Sequence, residues 1–417
     1  MSTVTRYDLS GCDDRMARVA LSWLCEPGTT AVHQLVTDRG ALPALRLLLE
    51  ADLPDGALRA NVTARLAAGD PRRIAEIALE RAERLGARII TPADAEWPVN
   101  LDHLLRLDRI GGDRAVDRET RPPLCLWLRG RWPLADALER SVAVVGARAS
   151  TAYGNHVATE LGYGLAEREW TVVSGGAYGI DAAAHRGALT AGGTTIAVLA
   201  CGVDRPYPVG NAALFERIAE CGLLVSEWPP GAEPHRHRFL IRNRVIAAAT
   251  AGTVMVEASA RSGAACTLHR ALGLGRPAMV VPGPVTSTMS VGCHVALRAF
   301  PDARLVTGLA DVLEEVGRIG ADLAPVPRGP EHPRDRLDAD AARVLEAVPA
   351  RRALAADEIA TRAGIDIRVV LRKLGLLLDL GLLRRTDGRY ALPRRTAAPS
   401  RPRPPGPTTP PGPTTPP

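Results

Sequence analysis

The sequence SVAVVGARAS at residues 141–150 begins a stretch, ending at Glu257, that repeats one pattern. Four short apolar runs are each followed by a loop of small or polar residues: SVAVV (141–145) then GARAS (146–150), TVV (171–173) then SGG (174–176), IAVLA (196–200) then CG (201–202), and TVMV (253–256) then EASARSG (257–263). Each run is too short for a helix, and segments with helical spacing follow at 157–169, 180–189 and 212–219. The pattern predicts buried parallel strands joined by crossover helices.

The predicted loops fall at one edge of the sheet. Right-handed crossovers place the carboxyl ends of parallel strands on the same side, and open α/β sheets bind ligands there, where the strand order reverses. Small residues expose backbone N–H groups at helix N-termini, which favour anions. Guanidinium groups suited to phosphate come from Arg148 in the first loop and from Arg238, Arg242 and Arg244 in HRFLIRNRVIAAA. We therefore expect an anionic ligand.

Cofactor and metal motifs are weak in this chain. Gly146 is followed by Gly154 with no G-x-G-x-x-G between them, and no acidic residue ends the following strand, so NAD binding is disfavoured. His235 and His237 in PHRHRF have no Cys or carboxylate partner at ligand spacing, so positive character is the simpler interpretation. We predict neither a cofactor nor a metal.

Seven ordered motifs carry a family resemblance. They are GARAS, SGGAYGID with His185 after it, AVLACGVDRPYP with Asn211, SEWPPG, FLIRNRVIAA, MVEASARSG and the Pro282-Gly283 turn. Over roughly 92–306 the chain resembles the DNA-processing protein DprA (Smf) family. The resemblance implies an extended Rossmann fold, binding of single-stranded DNA, a homodimer formed through the Rossmann domain, and loading of the RecA recombinase onto incoming DNA during natural transformation.

The resemblance also implies a DNA pocket. Its predicted residues are Gly146, Arg148, Ser150, Ser174, Gly175, Gly176, Tyr178, Asn211, Arg238, Phe239, Arg242, Asn243, Arg244, Ser262 and Gly263. Tyr178 stands where the family usually has an arginine, and Gly176 replaces a leucine. A tyrosine can stack on a base, a contact worth about 1–3 kcal/mol. Cys266 and His269 occupy positions where aliphatic residues are expected.

The composition is consistent with a globular protein that binds a polyanion. The chain has 417 residues, 46% of them hydrophobic, and a net charge of +6, a modest signal at this length. Lysine occurs once, at Lys373, so nearly all of the 52 basic residues are arginine, and GC-rich coding accounts for most of that excess. Only 4% of residues are aromatic, so base stacking can rest on few positions.

The cysteines and the apolar runs indicate the compartment. Seven scattered cysteines form no C-x-x-C pair, which predicts reduced thiols. No signal segment and no apolar run of about 18 residues is present, so we expect a cytoplasmic protein without membrane insertion.

Spacing divides the chain into five segments. We predict an α/β protein whose extended Rossmann-like, doubly wound sheet is accompanied by a small helical N-terminal module and a C-terminal winged helix. The segments are a helical module at 1–90, the Rossmann-type DNA-binding domain at 91–320, a linker at 321–336, the winged helix at 337–393 and a disordered Pro-rich tail at 394–417.

The predicted winged helix has helices at 341–348, 356–363 and 366–380, and a wing around Asp387-Gly388. Its third helix carries Arg368, Arg372 and Lys373, as a major-groove helix would. Its many leucines favour protein contacts equally well.

Three functions remain open on sequence. The favoured one is a single-strand-binding recombination mediator without chemistry of its own, acting in natural transformation or general recombination. The second is a nucleotide-processing hydrolase, with Glu257 and Asp181 as acid or base. The third is a regulator that binds duplex DNA through the winged helix. The isolated Rossmann domain would bind single strands, turn over nucleotides, or do neither, respectively.

Overall fold

The computed structural model describes residues 7, 9–50, 56–107, 120–318 and 333–393. It divides into two compact units, Met1–Pro325 and Val326–Pro417. Most of the predicted linker and all of the predicted tail at 394–417 lie outside the described residues, whereas Pro333–Arg336 forms a short 3-10 helix.

Five helices precede the sheet: α1 (Asp14–Leu24), α2 (Thr30–Arg39), α3 (Ala41–Leu49), α4 (Gly56–Ala68) and α5 (Pro71–Arg84). Two of these helices begin at an aspartate whose side chain caps the first turn. The Asp13 carboxylate accepts from the N–H of Met16 to begin α1, and Asp70 caps α5 with Pro71 at its first turn. Their aliphatic faces share one core cluster with strand residues Trp127 and Leu224, so this N-terminal module packs on the sheet.

A nine-stranded mixed sheet forms the centre of the first unit. Its strands are β1 (Ala87–Ile90), β2 (Leu126–Arg129), β3 (Ser141–Val145), β4 (Thr171–Ser174), β5 (Thr195–Leu199), β6 (Leu223–Ser226), β7 (Gly252–Met255), β8 (Ala278–Val280) and β9 (Ala303–Leu305), in the order β1-β2-β6-β5-β4-β3-β7-β8-β9. Pairing is parallel from β6 through β9 and antiparallel where β1 meets β2 and β2 meets β6. The predicted largely parallel α/β sheet is confirmed.

Helices cover both faces of this sheet: α6 (Leu134–Glu139), α7 (Ala152–Ala166), α8 (Ile180–Thr190), α9 (Ala212–Cys221), α10 (Arg238–Ala249), α11 (Gly263–Gly273), α12 (Val291–Ala299) and α13 (Leu309–Val316). Alternate residues of β3 show the two layers, because Val142 packs in one core cluster and Ala143 in the other. Glycine lets α7 approach α8 closely, since a methyl group at Gly162 would overlap the carbonyl oxygen of Ala184.

The strand order reverses beside β3. β4 pairs with one edge of β3 and β7 with the other, so the loops after β3 and β7 lie next to each other. The N–H of Ala147 donates to the carbonyl oxygen of Glu257 at 2.7 Å, which joins the two loops directly. This is the switch point at which open α/β sheets bind ligands.

The second unit contains α14 (Ala339–Ala347), α15 (Ala356–Ala363), α16 (Ile367–Asp379), β10 (Arg384–Thr386) and β11 (Arg389–Ala391). The two strands pair antiparallel across Asp387 and Gly388, which both have positive φ. Leu374 and Leu377 of α16 are fully buried in the core of this unit, so these two leucines are explained by packing inside it.

Candidate nucleic-acid interface at the switch point

An open cleft of about 1400 Å³ lies at the switch point. The loops after β3 and β7 form one part of its lining, and residues of α10 and α11 form another. This volume exceeds the roughly 300–1,000 Å³ that is usual for small-molecule pockets.

A cation and two aromatic rings lie together in the lining of the cleft. The guanidinium carbon of Arg148 lies 4.9 Å from the ring centroid of Phe239. Phe239 in turn meets Tyr207 edge to face at 5.8 Å, and Tyr207 is 43% exposed. In the described part of the chain, no carboxylate forms an ion pair with Arg148. The arrangement offers a charge for a phosphate beside aromatic surface for a base.

Glu257 fixes the shape of the first loop. Its buried carboxylate accepts from the backbone N–H of Thr151 at 2.9 Å and from the Thr151 hydroxyl at 2.6 Å. A side chain at Gly146 would overlap Ile180 and the Glu257 backbone, which explains the glycine. Ser150 donates to the side-chain oxygen of Asn155 at 2.7 Å. Because its oxygens are engaged in these bonds, Glu257 serves as a structural acceptor.

The second loop is hydrogen-bonded to the carboxylate of Asp181, which follows it in the chain. Ser174 is buried and donates to the carbonyl oxygen of Val144 at 2.6 Å. The N–H groups of Gly175 and Ala177 donate to Asp181 at 3.1 and 3.4 Å. Burial raises the pKa of Asp181, although Arg242 and these hydrogen bonds oppose the rise. The expectation that this loop offers free N–H groups to an anion is therefore not met at Gly175, because Asp181 accepts that N–H group, as it does the N–H of Ala177 just after the loop.

Two further predicted residues border this loop. Asn211 is buried and donates to the carbonyl oxygen of Gly176 at 3.0 Å. Tyr178 is 49% exposed, and its hydroxyl lies against Gly210. Tyr178 therefore presents its ring at the surface, whereas Asn211 holds the loop.

The three arginines of α10 are buried. Arg238 pairs with Glu26 at 2.7 Å. Arg242 donates to the carbonyl oxygens of Gly175, at 3.0 Å, and Val198. Their exposed fractions are only 5%, 5% and 0%, and of the three Arg242 belongs to the lining of the cleft.

Arg244 is the most enclosed of the three. Its guanidinium forms two hydrogen bonds with the Glu227 carboxylate, one of them 2.6 Å long, and a third with the carbonyl oxygen of Arg121 at 2.9 Å. All of these partners are protein atoms of the framework behind the cleft.

The start of α11 completes the cleft wall. The hydroxyl of Ser262 accepts from the N–H of Ala264 and caps the helix. Asn243 donates to the carbonyl oxygen of Gly263 at 3.2 Å. The unusual Cys266 and His269 do not interrupt this helix, and the His269 ring packs edge to face on Phe300 at 4.4 Å.

The predicted pocket lacked three exposed cleft residues with a cationic or aromatic side chain: Tyr207, Arg236 and Arg261. Arg261 belongs to MVEASARSG and Arg236 to PHRHRF, so both lay within motifs that the sequence singled out for other reasons. His235 and His237 stack on each other at 5.9 Å. In the described ranges no group of three or more His, Cys, Asp or Glu side chains could hold a metal ion.

The fold and the cleft define a Rossmann-type α/β protein with an open, arginine-lined site at the switch point. Residues 88–317 match the family described as DNA recombination-mediator protein A, and the chain belongs to that family. A Mycobacterium tuberculosis protein named as a DNA processing protein DprA is 49% identical over 317 residues, which span 76% of this chain and 79% of that protein.

Two solved structures resemble the fold. The X-ray structure of DprA from Streptococcus pneumoniae is 29% identical, with a TM-score of 0.53 over 74% of this chain and 95% of that one. A Helicobacter pylori DNA processing protein A, whose structure concerns single-stranded DNA binding, is 25% identical with a TM-score of 0.45 over 54% of this chain and 94% of that one. The part of the chain that the structure describes has no helix able to cross a membrane. Family membership places this protein in DNA processing and recombination.

Proposed function

We propose that the chain binds single-stranded DNA in the switch-point cleft and acts as a recombination mediator. The observation that carries the proposal is the exposed Arg148 guanidinium above the ring of Phe239, with Tyr207 beside it. A ring that stacks on a base needs a base that is not already paired and stacked, which favours single strands over duplex. Phosphate contacts and stacking accept any sequence, so binding is sequence-tolerant.

Exposure separates the predicted residues into two groups. We assign the DNA contacts to the exposed and half-exposed residues of the predicted pocket. Tyr178 lies at the neighbouring surface, and three residues of the cleft lining are added to the predicted set. These contacts are Gly146, Arg148, Ser150, Tyr178, Phe239, Ser262, Gly263, Tyr207, Arg236 and Arg261. The buried remainder supports these contacts, and two of its members, Arg242 and Asn243, also line the cleft. The buried residues are Ser174, Gly175, Gly176, Asn211, Arg238, Arg242, Asn243 and Arg244.

A titration of labelled single strands and matched duplexes over a salt series tests the assignment. We expect a preference for the single strand. Replacing Arg148 by alanine should weaken binding to every sequence and reduce the salt slope by about 0.7, the value for one phosphate contact on a single strand. The control is Arg217→Ala, because Arg217 is a surface arginine of α9 paired with Glu220 at 2.8 Å. A preference for duplex, or an Arg148→Ala protein with unchanged affinity and slope, would refute the assignment.

Family membership supports proposals for the remaining roles. We propose that the chain forms a homodimer, loads RecA onto the bound strand in the cytoplasm, and performs no chemistry in the cleft, where Glu257 is a structural acceptor. We also propose that the second unit is a winged helix, because three helices precede its two-stranded hairpin. Sedimentation at micromolar concentration should give the mass of two chains; a single-chain mass would exclude the dimer.

A further inference from the structure

Glu26 joins the N-terminal module to the helix that carries Phe239. It follows α1 in the chain. Its carboxylate accepts from Arg238 at 2.7 and 3.2 Å, from the indole N–H of Trp228 at 3.2 Å, and from Arg65 of α4 at 3.1 Å. One side chain thus connects two helices of the module with two positions in the Rossmann domain that lie more than 200 residues away.

This carboxylate is ionised at neutral pH. Burial alone would raise the pKa of Glu26, but hydrogen bonds from Arg238 and Trp228 and the charge of Arg238 outweigh burial and lower it. The Arg238 guanidinium is buried and also lies 5.5 Å from the Trp228 ring centroid. Without Glu26 the structure would bury an uncompensated cation, which is strongly unfavourable.

The contact lies at the first turn of α10. Arg238 is the first residue of that helix and Phe239 the second. Because the two residues are adjacent in the backbone, the contact of Arg238 with Glu26 also positions Phe239. Arg242 and Arg244 anchor the later turns through separate partners. We therefore expect loss of Glu26 to loosen the first turn, including Phe239, which otherwise packs against Trp228 and Ile241.

We infer that Glu26 is a positioning residue for the DNA cleft. The N-terminal module sets the affinity for single strands by holding Phe239 through Arg238, without itself contacting DNA. This regulation rests on the proposed function of the cleft.

Binding of a labelled thymidine oligonucleotide to the full chain over a salt series tests the inference. In Glu26→Gln the amide keeps the shape of the side chain but loses the charge that Arg238 and Arg65 need. We expect about tenfold weaker binding, in the usual range for coupled sites, with an unchanged salt slope because no phosphate contact is lost. Glu80→Gln is the control, since Glu80 is an acid of the same module with a 60% exposed side chain; it should bind normally. The thermal midpoint of each variant separates lost stability from lost affinity.

The outcomes separate this inference from the proposed function. Normal affinity in Glu26→Gln, together with weaker binding and a smaller slope in Arg148→Ala, overturns the inference and leaves the cleft assignment intact. Unchanged binding in both variants overturns both. If Glu26→Gln does not fold, the same titration of Arg65→Gln tests the inference. Arg65 is 37% exposed, so its replacement should disturb folding less. Several-fold weaker binding with an unchanged slope then supports the inference, and normal binding overturns it.

Discussion

Burial separates the arginines around the cleft. Arg148 is exposed, whereas the guanidinium of Arg242 lies behind the second loop and contacts backbone carbonyls. Burial lowers the pKa of Arg242 to about 10 while Asp181 opposes the shift, so Arg242 remains a cation at neutral pH. A cation held in this way stabilises the loop, and its removal would leave buried carbonyl oxygens without partners. Substitutions at exposed positions are therefore the ones that report on DNA contacts.

Tyr178 provides a prediction about base stacking. Replacing it by alanine should weaken single-strand binding by the value of one stacked base, about 1–3 kcal/mol. The salt slope should stay constant, because a neutral ring releases no counterions. Tyr178→Arg should instead raise the slope by about 0.7. Tyr163→Ala on α7 is the matched control, since Tyr163 is a tyrosine exposed to 37% outside the predicted site. Equal affinities for wild type and Tyr178→Ala would exclude the stacking role.

His185 provides a prediction about pH. It is fully buried, its Nδ1 lies 2.7 Å from the Thr195 hydroxyl, and its Nε2 has no partner among the described residues. Burial lowers the pKa of His185 to about 3, from 6.5. Between these values the unfolded chain binds a proton that the folded chain does not, so the free energy of unfolding falls as the pH is lowered. The slope is up to about 1.4 kcal/mol per pH unit, and above pH 6.5 His185 has no such effect.

Urea denaturation at pH 7 and pH 5 measures this slope. Between the two pH values the free energy of unfolding should fall less for His185→Leu than for wild type. With leucine at position 185, neither the folded nor the unfolded state binds a proton there. His156→Leu, at an exposed position of α7, should behave like wild type. Parallel losses in wild type and His185→Leu would show that other groups cause the acid sensitivity.

At the scale of elements, two glycines of the second unit have opposite roles. Gly375 lies within α16 with no atom in reach of an added methyl group, whereas Gly364 ends α15 in the left-handed region at φ 63°. A glycine inside a helix costs roughly 0.5–1 kcal/mol relative to alanine. In the left-handed region alanine costs about 1–2 kcal/mol instead.

Gly375→Ala should therefore stabilise the second unit by about 0.5–1 kcal/mol, and Gly364→Ala should destabilise it by about 1 kcal/mol. Chemical denaturation followed by far-UV circular dichroism measures both changes, and each variant is the control for the other. The same sign in both would mean that local backbone conformation does not decide the stability of these helix positions.

At the scale of the whole molecule, the cleft is built from the first unit alone. Its lining residues run from Leu107 to Met289, within Met1–Pro325. Deleting residues 337–417 should therefore leave most of the single-strand affinity, measured in the same titration against the full chain. If the truncated protein keeps its circular dichroism spectrum and thermal midpoint but no longer binds single strands, the DNA site has been assigned to the wrong unit.

Elements with strong local signals were predictable. The apolar runs placed β3, β4, β5 and β7 correctly, and Asp387-Gly388 indicated the hairpin between β10 and β11. The helix expected at 157–169 instead begins at Ala152, because the Thr151 hydroxyl caps it and Glu257 holds Thr151. Sequence spacing cannot reveal that contact, since the two residues are 106 positions apart.

The sequence by itself determined the class of the sheet, the switch-point loops and the family, because strand pattern, turn residues and motifs are local in the chain. Only the tertiary structure decided which arginines face the cleft. HRFLIRNRVIAAA presents Arg238, Arg242 and Arg244 alike as cations near a phosphate loop. In the structure each donates hydrogen bonds to a group outside this segment, and for Arg238 that group is the Glu26 carboxylate. A buried charge needs its counter-charge or hydrogen-bond acceptors in space, and chain folding, not spacing, brings them together.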